Sequence, residues 1–425
     1  TGRLPYEHGL RVLAGGSGFH LNTDQPSIAA AFKSAGYRTG AIQSAFPVSR
    51  TFGLDLGFDE FKDLDGTFKK GRAQTAAGWD LNRLQRRSDA TTDLALDFVD
   101  TSEEPFFLWI HYWDPHDSQL LPPDEFMAKQ PKISKRGVPI HQDNTAIYAI
   151  EVEYQDSQIG RLFDGLRERG LMEDMLVAAT ADHGEGLSDG LARHGWYNHR
   201  MTYQEQLHVP LILAGPGVPR GLSKNRMVST ADIAPTLLDL AGLPASKGSG
   251  QSLLPFSGPA PDSRNQWTYA DQINAFDWNA GLIYKRPDSA FLYTVADGEW
   301  KLTYRPHMPF AASELFHLTL DPDEMHNKIT TNPEEFRSLA ENLAARSPWV
   351  FEPFLGEGMD QESQEALANI GYGHLQASGT LKWWWECALH PTTRVENRGR
   401  CSIPHGEKTC SFPLLPRTDW KAPTK

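Results

Sequence analysis

A short stretch from Thr180 to His199, TADHGEGLSDGLARHGWYNH, concentrates acidic and imidazole side chains directly after an apolar run. Asp182 and His183 are adjacent on a glycine-bearing turn, so both can bind one divalent cation while the backbone fixes their orientation. An Asp-His pair in a turn is also typical of an aspartate cap beside a surface histidine. The stretch therefore predicts a metal site, with an ordinary polar turn as the alternative.

Another histidine that can do chemistry, His116, lies in the segment PFFLWIHYWDPHD. The apolar core of this segment, Phe106 to Ile110, is typical of a strand covered on both faces. If this strand and the one before Asp182 belong to one sheet, the residues that follow them meet at the edge where open α/β sheets bind ligands. We therefore expect His116, Asp182 and His199 to lie close together. By itself, His116 is equally typical of an exposed loop histidine.

The elements that must position these residues alternate along the first 240 residues, where apolar runs and helical patterns predict βαβ units and a mainly parallel sheet. The helical pattern is clearest from Thr145 to Arg169. Later, two alternating runs joined by Asp297-Gly298 predict an antiparallel hairpin, and a helix is predicted from Pro333 to Ala345. We predict three parts: an α/β domain (1–258), a small antiparallel sheet with a helix (259–373) and an irregular tail (374–425).

The composition restricts the partners and the catalytic chemistry. The formal net charge of -13 argues against binding to nucleic acid or to an anionic membrane. No apolar run approaches the roughly 20 residues that span a bilayer. The cysteines, Cys387, Cys401 and Cys410, all lie in the tail, so residues 1–386 offer no thiol nucleophile or thiolate ligand. The cellular location and the oligomeric state are left open.

Taken together, the motifs of the chain resemble those of the sulfatases of the alkaline-phosphatase-like superfamily. The resemblance runs from Thr1 to about Gly373 and implies an alkaline-phosphatase-like α/β fold. The motifs that carry it stand in the family's order: TGRLPYEHG (1–9), AGYRTGA (35–41), GLDLGFDEF (53–61), HYWDPHD (111–117), TADHGE (180–185), HGWYNH (194–199), HVPLILAGPG (208–217), ADIAPTLLDLAGLP (231–244), ELFHLTLDPDE (314–324) and LANIGY (367–372).

The resemblance implies a role for individual residues. Asp182 and His183 match the family's later pair of metal ligands, which usually hold calcium; the imidazole leaves room for manganese or zinc. His116 matches the histidine that contacts the sulfate and assists the leaving oxygen. His199 stands where many members carry a lysine and would be a second donor to the sulfate. Glu185 is expected to be solvated or to support these residues.

The chain departs from the family pattern at its start. The family's nucleophile motif, Cys/Ser-x-Pro-x-Arg, ends in a Thr-Gly pair, and this chain begins with Thr1-Gly2. The residue that becomes the formylglycine nucleophile is therefore expected about nine residues earlier. The acidic metal ligands of the family's first strand are expected further upstream, so the sheet is expected to lack that strand and the chain to be inactive as written. Gln43-Ser44 also stand where the family often has Gly-Lys.

These features predict a sulfuric ester hydrolase that acts on a sulfate ester with one divalent metal. One alternative is a phosphodiesterase or phosphonate monoester hydrolase of the same superfamily, because sulfuryl and phosphoryl transfer share their geometry. Another is a non-catalytic protein that retains an anion pocket. The identity of the ester is left open.

Overall fold

The helices and strands of the chain follow the predicted alternation and then give way to consecutive strands. The structure, a computed structural model, describes residues 1–11, 21, 24–64, 84–102, 105–116, 120–128, 145–196, 198–244, 247–256, 267–274, 286–305, 308 and 312–346. The predicted tail and the predicted boundary at residue 258 lie outside these residues, so the division into three parts stays a prediction.

The described elements include the following helices and strands. The helices are α1 (Pro5–His8), α2 (Ile28–Ser34), α3 (Ser88–Asp100), α4 (Asp124–Met127), α5 (Thr145–Glu168), α6 (Ser188–His194), α7 (Gln204–Leu207), α8 (Ile233–Leu240) and α9 (Pro333–Arg346). The strands are β1 (Arg38–Ile42), β2 (Glu60–Lys62), β3 (Phe106–Ile110), β4 (Val177–Thr180), β5 (Leu211–Ala214), β6 (Thr268–Gln272), β7 (Leu292–Ala296), β8 (Trp300–Tyr304) and β9 (Glu314–His317). The predicted long helix is α5, the predicted late helix is α9, and both are confirmed to within a residue.

The parallel sheet is formed by β1, β2 and β3 in the order β2-β1-β3. Helices α3 and α5 cover one face, and their apolar side chains form a core with Ile42 of β1. On β1, Gly40 allows the ring of Phe98 to lie where a β-carbon would otherwise be. The ring of Phe32 in α2 stacks on that of Phe107 in β3, with centroids 4.8 Å apart. Helices therefore pack against β3 and its neighbour, as the βαβ pattern predicts.

A separate pair of strands, β4 and β5, leads to the candidate site. The two strands pair antiparallel, with Ala179 opposite Ile212. The α/β fold class is confirmed, but this pair is a local departure from a parallel arrangement. The apolar run Val209 to Ala214 by itself predicts a buried strand, but β5 begins only at Leu211 and Ile212 is 62% exposed. Pro210 lacks a backbone N–H, which is consistent with the later start of the ladder.

The C-terminal sheet is antiparallel in the order β6-β7-β8-β9. The predicted hairpin is confirmed: β7 pairs with β8, and Gly298 in their turn has a φ of +101°, which favours glycine. Helix α9 packs its apolar face, including Phe336 and Leu339, against this sheet. The sheet and its helix are therefore held by one buried apolar cluster.

Candidate active site

Three imidazoles from separate loops converge in the structure. His116 ends a short 3-10 helix after β3, His183 follows β4, and His199 follows α6. The centroid of the His199 ring lies 4.1 Å from that of His183 and 5.1 Å from that of His116. One ring nitrogen of each residue lies within 4.8 Å of the other two. The structure thus brings together the three histidines that the sequence pattern selected.

Asp182 lies beside this group and directs its carboxylate toward His183. Its Oδ1 accepts a hydrogen bond of 2.9 Å from the backbone N–H of His183, and its Oδ2 lies 3.7 Å from Nε2 of the same residue. Desolvation in the cleft opposes ionisation of Asp182, but the imidazoles of His183 and His111 outweigh it and lower the pKa of the carboxyl. The Asp182 side chain is nevertheless 65% exposed. An ionised carboxylate therefore lies beside an imidazole at a solvent-accessible position.

Glu185 supports His199 from the next position of the same turn. Its Oε2 lies 3.0 Å from Nδ1 of His199. Burial raises the pKa of Glu185 to about 7. Burial also holds the pKa values of His199 and His116 well below the ordinary value for histidine. Glu185 was expected either to be solvated or to support the site residues, and in the structure it contacts His199. The carboxyl and the imidazole form a pair that can share one proton near neutral pH.

The turn that carries His116 is anchored to the start of α3. The carboxylate of Asp114 is fully buried and accepts a hydrogen bond of 3.2 Å from the backbone N–H of Ser88. The ring of His116 stacks on that of Trp113 at a centroid distance of 3.8 Å. Trp113 donates its indole N–H to Gln85 at 3.0 Å. These contacts fix the ring of His116. The sequence does not predict them, because the bonds to Ser88 and Gln85 join residues that are distant in the chain.

The other histidines of the two motifs lie outside the cluster. His194 contacts Glu205, with 2.7 Å between Nδ1 and Oε1, and stacks on the ring of Tyr203. His111 is half-buried directly after β3, and desolvation lowers its pKa to about 4. His194 and His111 are therefore not members of the three-histidine group, and His199 is the histidine of the HGWYNH motif that reaches the site.

A cleft of about 1490 Å³ adjoins the group and is lined by Asp182, His183 and His199. Its lining also includes the basic side chains of Arg3, Arg200 and Arg226. Arg200 directly follows His199 in the sequence, and this position could have indicated a basic side chain at the cleft. Local positive charge in a cleft can attract an anion in spite of a negative net charge.

Sequence comparison places this site in a known family. The sequence model of the family described as Sulfatase matches residues 1–243, which is more than half of the chain. The chain belongs to the sulfatase family. Residues 192–347 also match a model described as N-sulphoglucosamine sulphohydrolase, C-terminal. The resemblance inferred from the motifs is confirmed.

Individual relatives cover the chain only in part. Arylsulfatase K of Rattus norvegicus is 31% identical over 199 residues, which are 47% of this chain and 34% of that protein. Arylsulfatase K of Homo sapiens is 26% identical over 251 residues, which are 58% of this chain and 45% of that protein. This sulfatase-family chain thus spans about a third to a half of the length of the curated relatives it matches.

Solved structures agree on the fold. The structure of BT4656 in complex with its substrate D-glucosamine-2-N,6-O-disulfate has a TM-score of 0.57 at 18% identity and covers 89% of this chain and 88% of that one. The phosphonate monoester hydrolase SpPMH from Silicibacter pomeroyi has a TM-score of 0.57 at 20% identity and covers 85% of both chains. At these identities the likeness establishes the alkaline-phosphatase-like fold alone.

None of the described helices combines the length and apolar character that crossing a membrane requires.

Proposed function

We propose that this chain carries the anion- and cation-binding part of a sulfuric ester hydrolase site. Asp182 and His183 would hold a divalent cation, and His116 and His199 would donate hydrogen bonds to the sulfate. The observation that carries the proposal is the convergence of His116, His183 and His199 from three loops to within 4.8 Å, beside an exposed carboxylate. Membership in the sulfatase family supplies the reaction class.

The donor atoms of Asp182 and His183 suit a divalent cation. Oδ2 of Asp182 and Nε2 of His183 are 3.7 Å apart, which is compatible with two ligands of one ion. Calcium is the cation we propose, because sulfatases usually use it; the imidazole also suits manganese. When bound, the cation would offset negative charge that develops on the sulfate oxygens.

His199 and Glu185 can hold one proton between them in two ways, and both present the same atom to the ester. If the imidazole is protonated, Nδ1–H points to Glu185 and Nε2–H remains a donor. If the carboxyl is protonated, it donates to Nδ1 and Nε2–H again remains a donor. The raised pKa of Glu185, about 7, and the lowered pKa of His199 favour the form in which the carboxyl carries the proton. Glu185 therefore keeps Nε2 of His199 in the state that binds a sulfate oxygen.

His116 has a different task in the proposed site. Its ring is held flat on Trp113, at a centroid distance of 3.8 Å, so its nitrogens keep a fixed direction. An anionic ester bound beside the ring favours the protonated imidazole, which counters the effect of burial on its pKa. A protonated His116 can stabilise the leaving alkoxide oxygen as the S–O bond breaks.

The covalent step of sulfate-ester hydrolysis in this family needs a formylglycine nucleophile. The sequence of this chain contains no Cys/Ser-x-Pro-x-Arg motif. We expect the chain by itself to bind a sulfate ester without hydrolysing it. Steady release of 4-nitrophenol from 4-nitrophenyl sulfate by the pure chain would contradict this expectation.

The binding proposal is tested by calorimetric titration of the untagged chain with Ca²⁺ and then with 4-nitrophenyl sulfate. Asp182→Asn is expected to weaken Ca²⁺ binding about tenfold or more, because it removes a charged ligand. His116→Ala and His199→Ala are each expected to weaken ester binding. The matched control is Asp164→Asn, since the Asp164 side chain is 70% exposed on α5. Unchanged affinities in all three site variants would refute the proposal.

The alternatives give different results in the same titration. A phosphonate monoester hydrolase would bind phenyl phosphonate esters more tightly than the sulfate ester. A protein that only retains an anion pocket would bind inorganic sulfate as tightly as the ester and would be insensitive to Ca²⁺.

A further inference from the structure

The three imidazoles can do more than contact a sulfate. We propose that His116, His183 and His199 form a binding site for a transition-metal ion of the zinc class, which shares His183 with the proposed calcium site but does not use Asp182. This inference goes beyond the proposed function, because it uses the lone pairs of His116 and His199 rather than their N–H groups. It stands or falls independently of ester binding.

The geometry offers three nitrogen donors to one ion. A ring nitrogen of each residue lies within 4.8 Å of the other two. Nitrogen ligands of one tetrahedral zinc ion, with bonds of about 2.0–2.1 Å, lie roughly 3.3 Å apart. Small side-chain rotations would therefore bring the three nitrogens onto one ion. Three protein ligands with a fourth position left for water or an anion is a common zinc arrangement.

The second nitrogens of two rings already have the contacts that support metal-bound histidines. Nδ1 of His199 lies 3.0 Å from the carboxylate of Glu185, and Nδ1 of His183 lies 2.9 Å from the carbonyl oxygen of Gly184. A carboxylate or a backbone carbonyl on the other ring nitrogen fixes the tautomer and makes the ligating nitrogen more basic. These contacts assign Nε2 of both rings as the atoms that would bind the ion.

The donor type decides which ion this group selects. Calcium requires 6–8 oxygen ligands, and three imidazoles provide none. Imidazole nitrogen suits Zn²⁺, Co²⁺, Ni²⁺ and Cu²⁺, whose affinities rise toward copper. The family resemblance places a lysine at the position of His199 in many sulfatases, and a protonated lysine cannot be a ligand. His199 therefore supplies the third imidazole ligand, which sulfatases with a lysine at this position lack.

The test is a pair of metal titrations on one set of variants. The background is the full chain with Cys387, Cys401 and Cys410 replaced by serine, which removes thiolate ligands in the tail. Co²⁺, followed by its visible absorption, reports the coordination, and Zn²⁺ competition gives the affinity. His116→Ala and His199→Ala are expected to weaken Zn²⁺ binding by about 100-fold or more and to leave Ca²⁺ binding unchanged. Glu185→Gln, which removes a supporting carboxylate, is expected to weaken Zn²⁺ binding about 10-fold or more.

Asp182→Asn gives the reverse pattern and separates this inference from the proposed function. It is expected to lose Ca²⁺ affinity and to keep Zn²⁺ affinity within about threefold, because Asp182 is not one of the three ligands. His326→Ala is the control for a histidine that does not take part, since its side chain is 74% exposed. Thermal unfolding without metal shows whether each variant is folded.

X-ray absorption at the zinc edge of the same cysteine-free background provides a test that needs no histidine variant. Three imidazoles in the first coordination shell are expected. A shell with one imidazole or none would overturn the proposal, as would equal Zn²⁺ affinity in His116→Ala, His199→Ala and His326→Ala. If Ca²⁺ and ester binding fail while the three-histidine shell is found, the proposed function is wrong and this inference stands.

Discussion

The imidazole of His199 lies on that of His183, with ring centroids 4.1 Å apart and ring planes inclined by 24°. The backbone holds this pair, because Gly186 and Asn198 form an antiparallel bridge between the two loops. The N–H of Asn198 donates to the carbonyl of Gly186 at 2.8 Å, and the reverse bond is 3.2 Å. The two rings therefore meet because a short bridge joins the DHGE and HGWYNH motifs.

Gly186→Ala should separate the two rings. A β-carbon at this position would lie 2.7 Å from Nε2 of Gln206 and 3.0 Å from the carbonyl oxygen of Asn198. We expect the free energy of unfolding to fall by about 1–3 kcal/mol, because overpacking shifts the backbone. We also expect Zn²⁺ and ester affinity to fall, and calorimetry measures both.

Gly160→Ala is the matched control for this substitution. Gly160 is exposed on α5, and an added β-carbon meets nothing within 4 Å. It is expected to raise the free energy of unfolding by about 0.5–1 kcal/mol, because alanine favours the helix more than glycine. Equal ligand affinity in both glycine variants would show that the bridge does not align the imidazoles.

Lys301→Met should destabilise the junction between the small sheet and the loop after His199. Lys301 and Glu324 are 1% and 0% exposed and form an ion pair of 2.5 Å. Nζ of Lys301 also donates to the carbonyl of Thr202 at 2.6 Å. Removing the ammonium leaves a buried carboxylate without its partner, so the free energy of unfolding should fall by about 3–5 kcal/mol in urea titrations.

The double variant Lys301→Met, Glu324→Leu tests the cause of that loss. It is expected to recover much of the stability, because no unpaired charge remains. Arg167→Ala, which breaks an exposed pair with Asp164, should change the free energy of unfolding by less than about 0.5 kcal/mol. A single Lys301 variant as stable as the Arg167 variant would show that the buried pair is not stabilising.

The His194–Glu205 pair should make stability depend on pH. Burial disfavours the charged imidazole, but the hydrogen bond to Glu205 outweighs it and raises the pKa of His194 above 6.5. Burial likewise opposes ionisation of Glu205, but His194 outweighs it and lowers the pKa below 4.5. The pair therefore makes its full contribution to the free energy of unfolding between about pH 4.5 and 6.5. It is lost as pH rises through the raised pKa of His194, or falls through the lowered pKa of Glu205.

Glu205→Gln measures this contribution. The free energy of unfolding of the unsubstituted chain should exceed that of the variant by about 1–3 kcal/mol near pH 5.5, and by less at pH 8.5. His326→Asn, at a histidine whose side chain is 74% exposed, should change the free energy of unfolding by less than about 0.5 kcal/mol. A difference for Glu205→Gln that is the same at both pH values would contradict a charged pair.

The sequence predicted those features that depend on local pattern. Helices α5 and α9 have apolar residues at helical spacing, and the turn at Asp297-Gly298 has the chemistry of a hairpin, so their positions were predictable. The meeting of His116, His183 and His199 was predicted on the condition that β3 and β4 share one sheet; among the described residues the two strands lie in separate sheets, yet the three imidazoles meet. The family resemblance added their order and their expected roles.

Contacts between distant residues could not be predicted in this way. The antiparallel pairing of β4 with β5 depends on which strands are neighbours in space, and that is not encoded in either apolar run. The same holds for the bond between Ser88 and Asp114 and for the burial of Lys301 with Glu324. Whether Glu185 supports His199 or faces solvent was decided by the folded turn.

Asp114→Ala should show whether the anchor of the DPH turn matters for the site. The buried carboxylate of Asp114 accepts hydrogen bonds from the backbone N–H and the hydroxyl of Ser88, the first residue of α3. Its removal leaves an N–H at the helix start without a partner, so the free energy of unfolding should fall by about 1–3 kcal/mol. The released turn should also let His116 move, so Co²⁺ and ester affinity should fall together. Ser88→Ala keeps the bond to the N–H and should have the smaller effect on both; an equal effect of the two variants would place the anchor in the hydroxyl alone.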